Sequence, residues 1–244
     1  MNSGYYAAFT GLMARMQALD VVANNLANVS TTGFRGQREF YRAVTGAQRE
    51  ELLSPLNRAI NDYGVLGGLG INEKQGSLQS TGNNLDLAVN GTAFFVVQTP
   101  RGIRYTRDGA FQENAAGQLV TKDGDTVLGP NGPIQLPQGA VSVATDGTIS
   151  VANAVADQLR LAEFAPNTDL TPEGESDFIA PAAAEQPAAN STVNSGMLEA
   201  SNVNAVQETV NLMILQRHSE LLEHTLSIFL DDFNRTAVTD LARD

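Results

Sequence analysis

The sequence predicts a mixed α and β protein, with long N- and C-terminal helices forming a coiled-coil-like domain around a central all-β domain of antiparallel, sandwich or barrel-like form. Three observations predict it. Apolar residues near the N-terminus recur in alternating steps of four and three, Gly-containing turn pairs crowd the middle of the chain, and helical spacing returns after Ser201.

The N-terminal run is Tyr5, Phe9, Leu12, Met16, Leu19, Ala23 and Leu26. Strict alternation of four and three is the spacing of a helix–helix seam. Ala23 is its small member and lets a partner approach closely. At about 1.5 Å per residue the helix would be on the order of 30–35 Å long. Asn28-Val29-Ser30-Thr31-Thr32-Gly33 ends it, because Gly adopts the left-handed cap and Ser and Thr compete for backbone hydrogen bonds. Asn24, Asn25 and Asn28 near this end are costly in a helix interior. They are either a polar helix end that turns the chain, or a ladder of amides that sets register against neighbouring helices.

Gly67-Gly68 and Gly70 mark tightly turning backbone. Leu85-Asp86-Leu87-Ala88-Val89 and Phe94-Phe95-Val96-Val97 have strand composition, with the turn pair Asn90-Gly91 between them. Further turn pairs follow at Asp108-Gly109, Ala116-Gly117, Asp123-Gly124, Asn131-Gly132 and Asp146-Gly147. Such close spacing implies many short antiparallel strands. From Pro166 to Ser195 the composition shifts to Pro, Ala, Asn, Glu and Ser, the signature of an exposed connector.

Helical spacing then resumes. Val203, Val206, Val210 and Met213 form one stripe; Leu215, Leu222, Leu226, Phe229 and Phe233 form a second, with Ser201 or Asn202 as N-cap. Leu221 and Ile228 lie on a further face, so one intramolecular partner does not cover this helix. Burying a Leu- or Phe-sized side chain is worth roughly 1.5–3 kcal/mol, which favours contacts between subunits. The expected divisions are an N-terminal helical segment (1–34), an extended linker (35–75), the β domain (76–165), a connector (166–195) and a C-terminal helical segment (196–244) pairing with the first.

Composition excludes several function classes. The 244 residues suffice for one large domain or two modest ones, with 42% hydrophobic and 6% aromatic residues. A net charge of −12 repels nucleic acid and anionic lipid. The absence of Cys removes disulfides, thiolate nucleophiles and Cys-based metal sites. No stretch approaches the roughly 18 apolar residues of a membrane span, and Met1-Asn2-Ser3-Gly4-Tyr5-Tyr6 is not a secretory signal. By themselves these features predict a cytoplasmic protein.

Candidate chemistry is sparse. His218 and His224 are six residues apart and share no face as an i, i+4 pair would. Asp123-Gly124-Asp125 begins like a calcium loop but breaks at Val127. Asp231-Asp232 and Glu50-Glu51 are adjacent and diverge on a helix. There is no Gly-x-Ser-x-Gly and no phosphate-cradling Gly loop. No catalytic residue, cofactor or metal is expected. Two other classes remain to be compared: a soluble β-domain binding module, with carbohydrate as one target class, and an enzyme with a pocket in the β domain.

The segment from Ala23 to Arg35 resembles the N-terminal signature of the bacterial flagellar rod and hook family. Asp86-Leu87-Ala88-Val89-Asn90-Gly91 with Phe94-Phe95-Val96-Val97 is similar to that family's entry into its β domain. Tyr105-Thr106-Arg107-Asp108-Gly109-Ala110-Phe111 and Gly117-Gln118-Leu119-Val120-Thr121 resemble its next block, and Leu198-Glu199-Ala200-Ser201-Asn202-Val203-Asn204 through Gln216-Arg217 its C-terminal signature. His218-Ser219-Glu220 and the tail from Arg235 depart from the pattern. The resemblance implies an axial structural subunit in the periplasmic rod. It implies export through the flagellar type III apparatus without a cleavable signal, helical self-association, and contacts with other rod and hook-basal-body proteins. It places the subunit interface on the helices: Tyr5, Phe9, Leu12, Met16, Leu19, Ala23, Asn24, Asn25, Leu26 and Asn28, with Val203, Val206, Val210, Met213, Leu222, Leu226, Phe229 and Phe233.

Overall fold

The computed structural model describes residues 2–42, 65–166, 168–174, 176–181, 184–188 and 191–241, so part of the expected linker lies outside the described residues. The chain divides into two compact units. One comprises residues 1–26, 37–69 and 205–244; the other comprises residues 27–36 and 70–204.

The first unit carries helix α1 (Asn2–Ala27) and helix α2 (Ala205–Leu241), with Gln37–Arg42 pairing with Val65–Ile71 as a two-stranded sheet. The expected fold class needs correction here. The described chain is dominated by antiparallel β structure, and the terminal helices do not form a coiled-coil-like domain. Of the seam expected on α1, Phe9, Met16 and Ala23 are exposed, while Leu12, Leu19 and Leu26 are only half-buried. The buried face runs instead through Ala18, Val21, Val22 and Asn25, one position earlier than the expected one. On α2, Val206, Val210 and Met213 are exposed, and the buried positions are Ser219 and Leu226. The physical reason is that large apolar side chains at seam spacing state which face wants a partner. They do not supply one, and the small or polar residues that the fold buries carry little signal in such a pattern. No described helix is long and apolar enough to cross a membrane.

The second unit is built on a ten-stranded sheet whose main path, in spatial order, runs Thr171–Glu173, Asp177–Ile179, Gly102–Thr106, Phe94–Thr99, Thr126–Gly129, Leu119–Thr121 and Phe111–Glu113. Leu161–Glu163 pairs with both Phe94–Thr99 and Gln186–Pro187, and Gly132–Pro133 pairs with Thr126–Gly129. A three-stranded sheet (Val141–Val143, Thr148–Val151, Ala154–Gln158) and two short ladders complete it, Thr192–Ser195 on Leu87–Asn90 and Met197–Glu199 on Leu78–Ser80. The Pro- and Ala-rich stretch thus contributes strands to both kinds of sheet.

Phe94-Phe95-Val96-Val97 explains why the sheet is central. Successive strand residues face opposite sides, so an unbroken apolar run requires cover on both. Phe95 and Val97 enter one buried cluster with Leu87, Val89, Phe111, Leu119, Val127, Ile149 and Val193. Phe94 and Val96 enter another with Tyr105, Leu128, Ala162, Leu170 and Phe178. Edge-on aromatic contacts tie the second cluster together, Phe94 to Phe164 and Phe178 at 5.7 Å and Tyr105 to Phe164 at 4.9 Å. The Tyr105 hydroxyl donates to Glu185 Oε2 at 2.9 Å, and burial with this bond pushes its pKa up to about 12.

Four expected turn pairs close hairpins: Ala116-Gly117, Asp123-Gly124, Asn131-Gly132 and Asp146-Gly147. Two do not. Asn90-Gly91 carries the chain from one sheet to another, since Leu87–Asn90 pairs with Thr192–Ser195 and not with Phe94–Thr99. At Asp108-Gly109 the backbone runs so close to Leu87 that a Cβ on Gly109 would lie 1.6 Å from the Leu87 carbonyl oxygen.

One hairpin is strained. Val151 faces Ala154 across the two-residue loop Ala152-Asn153, whose φ values of 51° and 66° are both positive. That loop geometry suits Asn or Gly, whereas Ala in the left-handed region is disfavoured. Ala152→Asn should raise the unfolding free energy by about 0.5–1 kcal/mol in urea titration; an unchanged or lower midpoint would contradict the strain.

Burial first, then the charges of Asp125, Asp123 and Asp108, push the Asp177 carboxyl up to about 6, with a Thr106 hydrogen bond opposing. Its folded value lies above the unfolded one, so ionised Asp177 destabilises the protein at neutral pH, and the penalty fades as pH falls through the folded value. Lowering the pH from about 7 to about 5 should therefore stabilise the unmodified protein relative to Asp177→Asn, measured as the difference between their urea midpoints.

Candidate assembly surface and a buried arginine–glutamate cluster

The most unusual chemistry of the second unit is three buried charges. Arg35 and Glu199 are 1% exposed and Arg107 is 2% exposed. Glu199 lies between the two guanidinium groups, with Oε1 2.8 Å from Arg35 Nη2 and Oε2 3.2 Å from Arg107 Nη1. Backbone groups complete the shell. Arg35 Nη1 donates to the carbonyls of Glu73 (2.9 Å) and Lys74, Arg107 Nη2 donates to the Gly91 carbonyl (2.7 Å), and Glu199 Oε1 accepts from the Gly76 N–H (2.8 Å). The Arg107 guanidinium also lies 4.8 Å over the Phe94 ring.

Burial lowers the pKa of both arginines. For Arg35 the Glu199 and Glu73 charges oppose the shift; for Arg107 the Arg35 charge adds to it, bringing it to about 10 against the pull of Glu199. The guanidinium groups are cations paired to a single carboxylate, so the cluster has two positive partners for one negative one. The Nε atoms of Arg35 and Arg107 have no hydrogen-bond partner among the described residues.

This cluster fastens distant stretches of chain to each other. The Gly33 N–H donates to the Glu199 carbonyl (2.8 Å). Gly33 sits at φ 68°, where a Cβ would lie 2.3 Å from the Arg107 backbone. Asn202, a candidate cap in the sequence, bridges instead: its Oδ1 accepts from the Gly36 N–H (2.8 Å) and its Nδ2 donates to the carbonyls of Asn72 (2.8 Å) and Lys74 (2.7 Å). The chain thus leaves the β unit toward α1 and toward α2 from neighbouring points.

The helices present the opposite character. Ten of the thirteen large hydrophobic residues that stand exposed among the described residues lie on them: Phe9, Met13, Met16, Val206, Val210, Met213, Ile214, Leu221, Ile228 and Leu230. Val206 is 76% exposed. Of the interface positions read from the sequence, Leu12, Leu19, Leu26, Asn28, Val203 and Leu222 are half-buried, Ala23 and Asn24 exposed, and Leu226 buried. Asn25 is buried: its Nδ2 donates to the Gln37 carbonyl (2.9 Å) and its Oδ1 accepts from the Gln37 N–H (2.7 Å), so it steers the chain into the next strand. The side chains of Tyr5, Phe229 and Phe233 lie outside the described residues. His218 and His224 are exposed, and no group of three or more His, Asp or Glu able to hold a metal occurs among the described residues.

Sequence reasoning passed over Arg35, Arg107 and Glu199 as charges. Nothing in their neighbours sets them apart, since Arg35 stands beside Phe34 and Gly36, Arg107 beside Thr106 and Asp108, and Glu199 beside Leu198 and Ala200.

Removing one partner of a buried ion cluster leaves the others uncompensated. Glu199→Ala should destabilise the β unit by about 3–5 kcal/mol in urea unfolding; a loss below about 1 kcal/mol, the scale of an exposed ion pair, would contradict this account.

Comparison with known proteins extends this geometry. Residues 6–35 match the model "Flagella basal body rod protein", residues 88–151 match "Flagellar hook protein FlgE/F/G D1 domain", and residues 194–220 match "Flagellar basal body rod FlgEFG protein C-terminal". Each matched segment contains one member of the cluster, Arg35, Arg107 and Glu199 respectively. The chain is 33% identical over 226 residues to the flagellar basal-body rod protein FlgF of Mesorhizobium japonicum and 35% identical over 226 residues to that of Caulobacter vibrioides, with 90% of both chains covered in each case. It is 34% identical over 239 residues to the rod protein FlgG of Agrobacterium fabrum, covering 88% of this chain and 90% of that one. The chain belongs to the flagellar basal-body rod protein family and is a structural subunit of the basal-body rod.

Proposed function

We propose that this rod subunit polymerises axially through α1 and α2, stands in the proximal part of the rod, and performs no catalysis. The observation that carries this reading is the concentration of exposed large apolar side chains on the two helices. A monomer that keeps Phe9, Met13, Met16, Val206, Val210, Met213, Leu221 and Ile228 in water presents a surface that association would cover. The interface comprises the helix positions read from the sequence apart from Asn25 and Leu226, which are already buried within the chain, with Met13, Ile214, Leu221 and Ile228 added. Its partners are further copies of this chain and other rod and hook-basal-body proteins. The helices line the export channel, and the polymerised subunits transmit torque along the rod. The subunit reaches the periplasm through the flagellar type III apparatus.

The proximal position is supported by Phe34-Arg35 followed by Tyr41-Arg42-Ala43-Val44, and by Gly132-Pro133-Ile134-Gln135-Leu136-Pro137 leading to Asp146-Gly147-Thr148-Ile149-Ser150, which resemble the proximal rod protein. The distal rod protein is the alternative, because Ala23-Asn24-Asn25-Leu26-Ala27-Asn28-Val29 and Thr106-Arg107-Asp108-Gly109 are nearer to it.

Deleting residues 1–30, or substituting Val210→Asp with Met213→Asp, should leave a folded β unit by circular dichroism and abolish incorporation into basal bodies. Normal swimming by cells carrying either change would overturn the assembly reading. An epitope tag on the incorporated subunit should label the cell-proximal end of purified rods, and label at the far end would assign the distal position.

A further inference from the structure

We infer that the Arg35–Glu199–Arg107 cluster is a completion lock: the core of the β unit closes only when residues 191–202, close to the end of that unit in chain order, have docked. Three kinds of contact converge on this short stretch. It supplies ladders, since Leu87–Asn90 takes its antiparallel partner from Thr192–Ser195, and Leu78–Ser80 takes its own from Met197–Glu199. It supplies core, since Val193 is packed into the larger apolar cluster beside Leu87 and Val89. It also supplies the carboxylate between the two buried guanidinium groups.

Without Glu199, Arg35 and Arg107 would be two uncompensated cations in one dry site, and the chain would keep them hydrated instead. That hydration spreads. Gly33 rests on the Arg107–Asp108 backbone, and the Gly109 carbonyl accepts the Leu87 N–H at 2.9 Å. Holding Arg107 in water therefore loosens the stretch from Arg107 to Gly109 and, through it, the strand that carries Leu87, Ala88 and Val89. Ser191 adds a further tie, its Oγ accepting from the Thr92 and Ala93 N–H groups at 3.1 Å and donating to Glu163 Oε1 at 2.6 Å. A chain emerging from its N-terminus thus stays open until nearly all of the unit is present. The lock operates in the monomer, whether or not the helices polymerise.

The rival order is that the large sheet, drawn from residues 94–187, forms first and the terminal stretch docks onto it afterwards. Pulse-labelled hydrogen exchange during refolding of the full chain separates the two. The amides of Val96, Val97 and Tyr105 should gain protection in the same kinetic phase as those of Leu87, Val193 and Leu198. Protection of the sheet amides in an earlier phase would overturn the lock. A second measurement uses Glu199→Gln, which keeps the shape and removes the charge. Refolding should slow at least about tenfold while unfolding changes less than about twofold. An unchanged refolding rate with faster unfolding would overturn the inference. The pulse-labelling arm uses the unmodified chain, so it decides the matter even where Glu199→Gln fails to fold.

Discussion

Two guanidinium groups enclosed in a protein interior need a carboxylate between them and polar atoms around them, and much of the β unit depends on that requirement being met. Arg35 follows the first helix, Arg107 follows a strand of the large sheet, and Glu199 precedes the second helix. One buried ion cluster therefore holds together three regions separated by most of the chain. Desolvation offsets much of the Coulombic gain in such clusters, so their strength lies in specifying an arrangement. Here the arrangement is the close approach of Gly33 to Arg107 and of Gly76 to Ala200, where backbone meets backbone with no room for a side chain on the glycine.

Around this anchor the molecule divides its apolar residues between two uses. In the β unit, Phe94 to Val97 are buried on both faces of the central strand, so their burial is completed within the chain. On the helices the large apolar residues stand largely exposed. The first use is satisfied within the chain, and the second leaves apolar surface in water.

Asn25 shows how one residue can serve local structure where its composition suggests an intermolecular role. In the sequence it stands with Asn24 and Asn28 as either a turning element or an amide ladder. In the structure both its amide groups are engaged by the Gln37 backbone, like one rung of a strand. Asn202 behaves similarly, spending its side chain on Gly36, Asn72 and Lys74 instead of capping the second helix. Both are amides that replace missing backbone partners where the chain changes direction.

Local chemistry was legible in the sequence wherever the cause is local. The strand character of Phe94 to Val97, the hairpins at Ala116-Gly117, Asp123-Gly124, Asn131-Gly132 and Asp146-Gly147, and the end of the first helix before Gly33 follow from side-chain alternation and from the left-handed tolerance of Gly. The family followed from the wording of segments spread along the chain. Pairing was not legible, because it depends on which strand arrives beside which. Asn90-Gly91 reads as a hairpin turn yet crosses between sheets, since Leu87–Asn90 finds its partner a hundred residues away in Thr192–Ser195. The coiled-coil-like domain was not realised, because the seam spacing records a demand for burial and the described chain buries Ala18, Val21, Val22 and Asn25 instead. The charge cluster was invisible for the same reason: Arg35, Arg107 and Glu199 are ordinary surface residues in a linear chain, and only the tertiary structure puts a carboxylate between two arginines and takes the water away.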